Sequence, residues 1–174
     1  MKIWLITDTH FNHKDKMKQY CNRPDNYEDL IWDGFDCIGY DDLLIHLGDI
    51  CIGEDKVTHN ILSKYKFKKV LVKGNHDKKS NNWYLENGWD FVCDNFSLKA
   101  YGKNILFSHT PQPIGDYDIN IHGHFHNKDL SNLDKEIEDR DKEMIKLITT
   151  NHKILSIEKT NYEPILLEHF LNKP

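Results

Sequence analysis

Five short segments of the chain carry side chains that bind metal ions. They are Asp8-Thr9-His10, Gly48-Asp49, Gly74-Asn75-His76-Asp77, Ser108-His109 and Gly123-His124-Phe125-His126. Eleven histidines are present in all, and their placement is not random. A carboxylate can bind two cations at once, and imidazoles supply neutral nitrogen ligands that suit Mn, Fe, Zn or Ni. A phosphate ester resists hydrolysis because its anionic charge repels a nucleophile. Two cations a few ångströms apart neutralise that charge and lower the pKa of a shared water. This mixture of Asp, Asn and His is the donor set such a pair of ions needs. Alternation along an extended strand end would point Asp8 with His10, and His124 with His126, the same way. Glycines at 48, 74 and 123 permit tight turns beside the ligands.

Each segment ends a short apolar run. Residues 2–7, 43–47 and 69–73 read as buried strands, with 104–108 and 119–122 as later ones. Between the early strands, 26–40 reads as an amphipathic helix. Asp25 or Asn26 is its cap, and Tyr27, Leu30, Ile31, Phe35 and Ile38 form its apolar side. A second helix is predicted over 55–65, and further strands over 90–93, 96–100 and 153–158. Strands alternating with helices predict a largely parallel α/β start, with the site beyond the carboxyl ends of the strands. Residues 127–150 are charge-rich and lack Gly and Pro. Leu130, Leu133, Ile137, Met144 and Ile148 are spaced loosely like one helical face. The segment reads as a solvated surface excursion, with a lid beside the cleft as the alternative.

The 174 residues suit one domain spanning 1–174. With 39% hydrophobic and 29% charged residues the composition is that of a globular chain, not a disordered one. A net charge of −5 argues against strong binding of duplex nucleic acid, which needs a basic surface. A small nucleotide remains a suitable substrate. Cys21, Cys37, Cys51 and Cys93 include no C-x-x-C pair and read as thiols of a reducing compartment. The apolar run before Asp8 is too short for a signal-peptide core or a membrane span, which places the expected location in the cytoplasm.

The ordered blocks D-x-H, G-D, G-N-H-D, a lone His and G-H-x-H, running from Asp8 to His126, resemble the calcineurin-like metallophosphoesterase family. Asp8 to His13, Cys21-Asn22-Arg23-Pro24, His46 to Asp49 and the tail from Glu158 to Glu168 look most like its small bacterial and phage members. The resemblance implies an α/β (α+β) fold, a four-layer sandwich of two mixed β-sheets flanked by helices. It implies two divalent transition-metal ions, Mn foremost, with Fe, Zn or Ni possible. Asp8, His10 and His126 would bind one ion, Asn75, His109 and His124 the other, and Asp49 would bridge them. His76 would face the substrate as a catalytic group oriented by Asp77. The implied activity is hydrolysis of a phosphodiester or phosphomonoester in a small or nucleotide-like substrate. The alternatives are a nuclease and a non-catalytic scaffold of the same fold. Arg23 reads as either a substrate-phosphate contact or a surface ion pair, and His13 as a residue lining the cleft. His122 reads as a core residue and His46 as packed against the sheet, while His59, His152 and His169 read as surface residues.

Overall fold

The computed structural model describes residues 1–128, 130 and 139–172. Two sheets face each other. The first runs β4 (Phe91–Cys93), β3 (Lys68–Val72), β2 (Leu43–His46), β1 (Ile3–Ile6), β9 (Ile165–Leu166). The second runs β5 (Asn95–Ala100), β6 (Lys103–Ser108), β7 (Ile119–His122), β8 (His152–Ile154). Both are mixed. Strands β1 to β4 are parallel and β9 is antiparallel to β1. In the second sheet β5–β6 is antiparallel, while β6–β7 and β7–β8 are parallel. Helices flank the sheets, which is the fold the family resemblance implied.

Side chains alternate across a strand, so each central strand feeds two cores. Leu5, Ile45 and Val72 pack with Ile105, Phe107 and Ile121 between the sheets. Ile6, Leu44 and Leu71 turn the other way, into a cluster with Tyr27, Ile31 and Phe35 of α2 (Tyr27–Phe35) and Leu62 of α3 (Asp55–Leu62). Burial on both faces is why these strands read as continuous apolar runs. Truncating a fully buried leucine such as Leu44 to alanine would cost roughly 2–5 kcal/mol.

Several elements differ from the sequence expectation. Helix α2 stops at Phe35 rather than 40, and the chain continues in tight turns: Cys37 N–H donates to Gly34 O and Ile38 N–H to Phe35 O. Asn26 is its N-cap, but its side chain makes no capping bond. Helices α1 (Lys14–Cys21) and α4 (Asn81–Glu86), the short β9 and the terminal α6 (Leu167–Asn172) are additional. Strand β8 ends at Ile154, and Ile157–Thr160 forms a 3₁₀ turn instead of a strand end. Helix α5 (Asp139–Ile145) lies in the charged segment. Leu133 and Ile137 of its expected apolar face fall outside the described residues. Among the described residues no helix is long and apolar enough to cross a membrane.

Candidate metal centre

The five ligand segments follow β1, β2, β3, β6 and β7, all at carboxyl ends of parallel strands. Pairing continues past β1 and β2 into the loops: Asp8 N–H donates to Gly48 O (2.9 Å), His10 N–H to Asp49 O (3.1 Å) and Phe11 N–H to Ile50 O (2.9 Å). The loops are not extended, which corrects the alternation argument. Asp8, His10, Asp49, His124 and His126 all have positive φ, between 46° and 74°. Each such residue costs about 1–2 kcal/mol in an L-amino acid, so the surrounding bonds must hold it. At Gly123 a Cβ would collide with Thr7 Oγ1 and Asp8 Oδ2, so only glycine lets the two loops approach.

The Asp77 carboxylate is one of these holding groups. It accepts N–H bonds from Asp49 (2.8 Å), Gly74 (2.8 Å) and Ile50 (3.2 Å), tying the second loop to the third. Burial first, then the neighbouring Asp49, raises its pKa to about 6.

Two ligand sets converge. Asp8 Oδ2 is engaged by Thr7 Oγ1 (2.6 Å) and His124 N–H (3.0 Å), which leaves Oδ1 pointing inward. Asp8 Oδ1 lies 3.8 Å from His10 Nε2 and 3.9 Å from His126 Nε2. Asp8 Oδ1 and both ring nitrogens of His10 are buried without a hydrogen-bond partner, a costly state for polar atoms in a protein interior. The second set joins His109 Nε2 to Asn75 Oδ1 (3.1 Å) and His124 Nδ1 (3.2 Å). Asp49 Oδ2 lies between the sets, 3.7 Å from His10 Nε2 and 3.4 Å from His109 Nε2. Its Oδ1 is fixed by the His76 backbone N–H at 2.7 Å.

Outer contacts set the tautomers. His109 Nδ1 donates to Leu47 O (2.7 Å), which leaves Nε2 as the free nitrogen. His126 Nδ1 lies 3.2 Å from Glu158 Oε1, so that a carboxylate backs the ring and Nε2 faces the site. Burial opposes charge on both rings, but the nearby carboxylates prevail. His109 is raised to about 9, chiefly by Asp49, and His126 to about 10, by Asp8, Cys21 and Glu158. Burial dominates at His10 and depresses it to about 3. Cys21, His126 and Glu158 also cluster. That third group is already occupied by a cation: Arg23 Nη2 lies 2.7 Å from Glu158 Oε1 and 3.3 Å from His126 Nδ1. The donors of the two main sets, imidazole nitrogens and carboxylate and amide oxygens, with Asp8 Oδ1 and the His10 nitrogens unpartnered, fit a pair of divalent transition-metal ions.

The family profile for calcineurin-like phosphoesterases matches residues 1–172. The chain belongs to the calcineurin-like phosphoesterase family. Phosphoesterases of this family act as hydrolases on phosphate esters and use divalent metal ions. Among curated proteins, the chain is 29% identical over 181 residues to Uncharacterized protein MJ1445 of Methanocaldococcus jannaschii, covering 96% of this chain and 88% of that one. Among solved structures it is similar to AQ665, a protein of unknown function from Aquifex aeolicus. There the TM-score is 0.72 at 23% identity, covering 97% of this chain and 96% of the other.

In this phosphoesterase two expected site roles are corrected. Arg23 is neither a surface ion pair nor placed to touch substrate, because its side chain is 0% exposed. Its guanidinium donates to Glu158 Oε1, Thr9 O (3.0 Å) and Asp8 O (2.7 Å) and so braces the first loop from beneath. Asp77 does not orient the His76 ring, because its oxygens are engaged by backbone N–H groups of the second and third loops. His76 itself is exposed, its ring 5.5 Å from that of His10. His13 is partly buried, with its ring 6.1 Å from His10. His46 is buried and bonded to Thr9 Oγ1 (3.0 Å), and His122 is fully buried. His59 and His152 are buried rather than on the surface. Trp89 Nε1 donates to His59 (2.9 Å), and His152 Nε2 bonds to Gln112 O (2.9 Å). His169 is exposed. Sequence reasoning gave no site role to Thr7, which bonds the adjacent Asp8, or to Glu158 and Asp141, whose histidine partners are 32 and 17 residues away.

Proposed function

We propose that the chain is a dinuclear metal-dependent phosphoesterase. It would hydrolyse a phosphodiester or phosphomonoester bond in a small or nucleotide-like substrate. The observation that carries this reading is Asp49. One oxygen faces both nitrogen-rich sets, and the other is held by a backbone N–H. Asp8, His10 and His126 would hold one ion, Asn75, His109 and His124 the second, and Asp49 both. Bound there, the ions would supply Lewis acidity toward the phosphoryl oxygens and an activated water nucleophile. The chain's own part is to hold and shape. The nitrogen-rich donor set favours Mn or a similar ion over Mg. His13 lines the approach. Exposed His76 would donate a proton to the departing oxygen, help worth about 10²–10⁴-fold. The acidic net charge of −5 favours small substrates over long duplexes. Four free cysteines suit a reducing compartment such as the cytoplasm.

The test is a hydrolysis screen over cyclic nucleotides, dinucleotides, aryl diesters and monoesters. Chelator should abolish turnover, and Mn should restore it. Full activity with a metal site shown empty by elemental analysis would overturn the reading.

A further inference from the structure

Helix α5 sits in the segment whose sequence looked most like a solvated excursion, yet one of its carboxylates is deeply buried. The Asp139 side chain is 97% exposed and that of Asp141 only 7%. Asp141, Met144, Ile145 and Ile148 are turned inward to differing degrees, while Lys142, Glu143 and Lys146 are exposed. Asp141 Oδ1 lies 3.2 Å from His124 Nε2, and His124 Nδ1 faces His109 Nε2 at 3.2 Å.

We infer that Asp141 is a positioning residue for His124, and that α5 thereby completes the second metal set. This rests on the dinuclear reading. An imidazole presents a lone pair from one nitrogen only when the other carries the proton. A carboxylate accepting from Nε2–H fixes that tautomer, pins the ring plane and leaves Nδ1 free toward the cleft. His124 needs such a partner because its own backbone is strained, with φ at 74°. The corresponding partners of His109 and His126 come from the fold's framework, Leu47 O and Glu158 in turn, whereas the His10 ring has none. For His124 the partner comes from the charged segment, which ties that segment to the metal centre.

The test is titration of the full chain with Mn²⁺, followed by elemental analysis, together with proton NMR of the Co²⁺-loaded protein. Wild type should take two ions. Asp141→Ala should weaken the second by about 10–100-fold and leave the first unchanged. Asp141→Asn, whose amide oxygen still accepts from Nε2–H, should recover most of that loss. In the Co²⁺ form, the exchangeable His124 ring proton should appear in wild type and Asp141→Asn and vanish in Asp141→Ala. Unchanged second-site affinity in Asp141→Ala would overturn the inference alone. Equal weakening of both sites would reduce Asp141 to a fold contact and overturn it too. Should the alanine variant not fold, loss of the ring-proton signal in Asp141→Asn would overturn it. A wild type that takes no second ion would overturn the dinuclear reading and this inference together.

Discussion

His76 and Arg23 show how two polar residues near one cleft come to opposite roles through burial. His76 is exposed, anchored by its backbone to Asp49, with its ring 5.5 Å from that of His10. A proton donor there helps most when the leaving group is a poor one. His76→Ala should therefore keep its metal content and lose far more rate on an alkyl or nucleoside ester than on a p-nitrophenyl ester. Equal losses on both substrates, with metal retained, would move His76 from the leaving oxygen to the phosphoryl group. Arg23 is fully buried, and its ring of acceptors is complete. Removing it takes one of two cationic partners from the buried Glu158 carboxylate, held down at about 2 by His126 and Arg23 against the cost of burial, and leaves two loop carbonyls without that donor. Arg23→Ala should cost roughly 3–5 kcal/mol of folding stability, read by chemical denaturation. A stability within error of wild type would show that Arg23 does not brace the first loop.

At the scale of elements, what could be read from the sequence was what repeats locally. Strands β1, β2, β3, β6 and β7 are short apolar runs, each followed at once by a ligand block, so the site could be located from the chain alone. Helices α1 and α4 could not be found that way. α1 buries only Met17 and Cys21, and α4 is six residues long with Ser80 as its cap, so both depend on docking more than on pattern. The brace on the first loop was equally hidden, because Arg23 and Glu158 are 135 residues apart. His59 failed for the same reason. It lies on the buried face of α3 with Thr58 and Leu62, and its partner is Trp89. Burial depresses the ring to about 4, well below the ordinary 6.5. The unfolded chain takes up that proton first as the pH falls, so the stability His59 contributes is complete above pH 6.5 and is lost on the way to pH 4. The shift corresponds to about 3 kcal/mol. His59→Gln keeps an acceptor for Trp89 and removes the titration. Its stability, measured in chelator, should fall by about that much less than wild type across the window. Parallel curves would show that another group carries the acid sensitivity.

The molecule as a whole places parallel strands from two sheets so that their carboxyl ends meet, and this concentrates like charge. Asp8, Asp49 and Asp77 are all buried within the joined loops, Asp49 raises the pKa of Asp77, and the loops carry left-handed residues. The strained backbone and the buried Asp77, raised by burial and by Asp49, oppose folding, and hydrogen bonds answer only part of that cost: Asp8 Oδ1 remains unpartnered. Ions bound by the folded chain alone therefore become part of its stability. At a free concentration one hundred times the dissociation constant, each site contributes about 2.7 kcal/mol. Two sites would contribute about 5 kcal/mol, and a chain of this size gains roughly 2–4 °C per kcal/mol. Adding Mn to the chelated protein should thus raise the Tm by roughly 10–20 °C. Asp49→Asn separates this from a general salt effect. Its chelated form should melt lower than wild type, because buried His109 loses the carboxylate that pairs with it. Its gain on adding Mn should nearly vanish, because the oxygen shared by both sets no longer carries charge. An undiminished gain in Asp49→Asn would remove the shared carboxylate from the centre of the site. An absent gain in wild type would show that the converging loops are held by the fold alone.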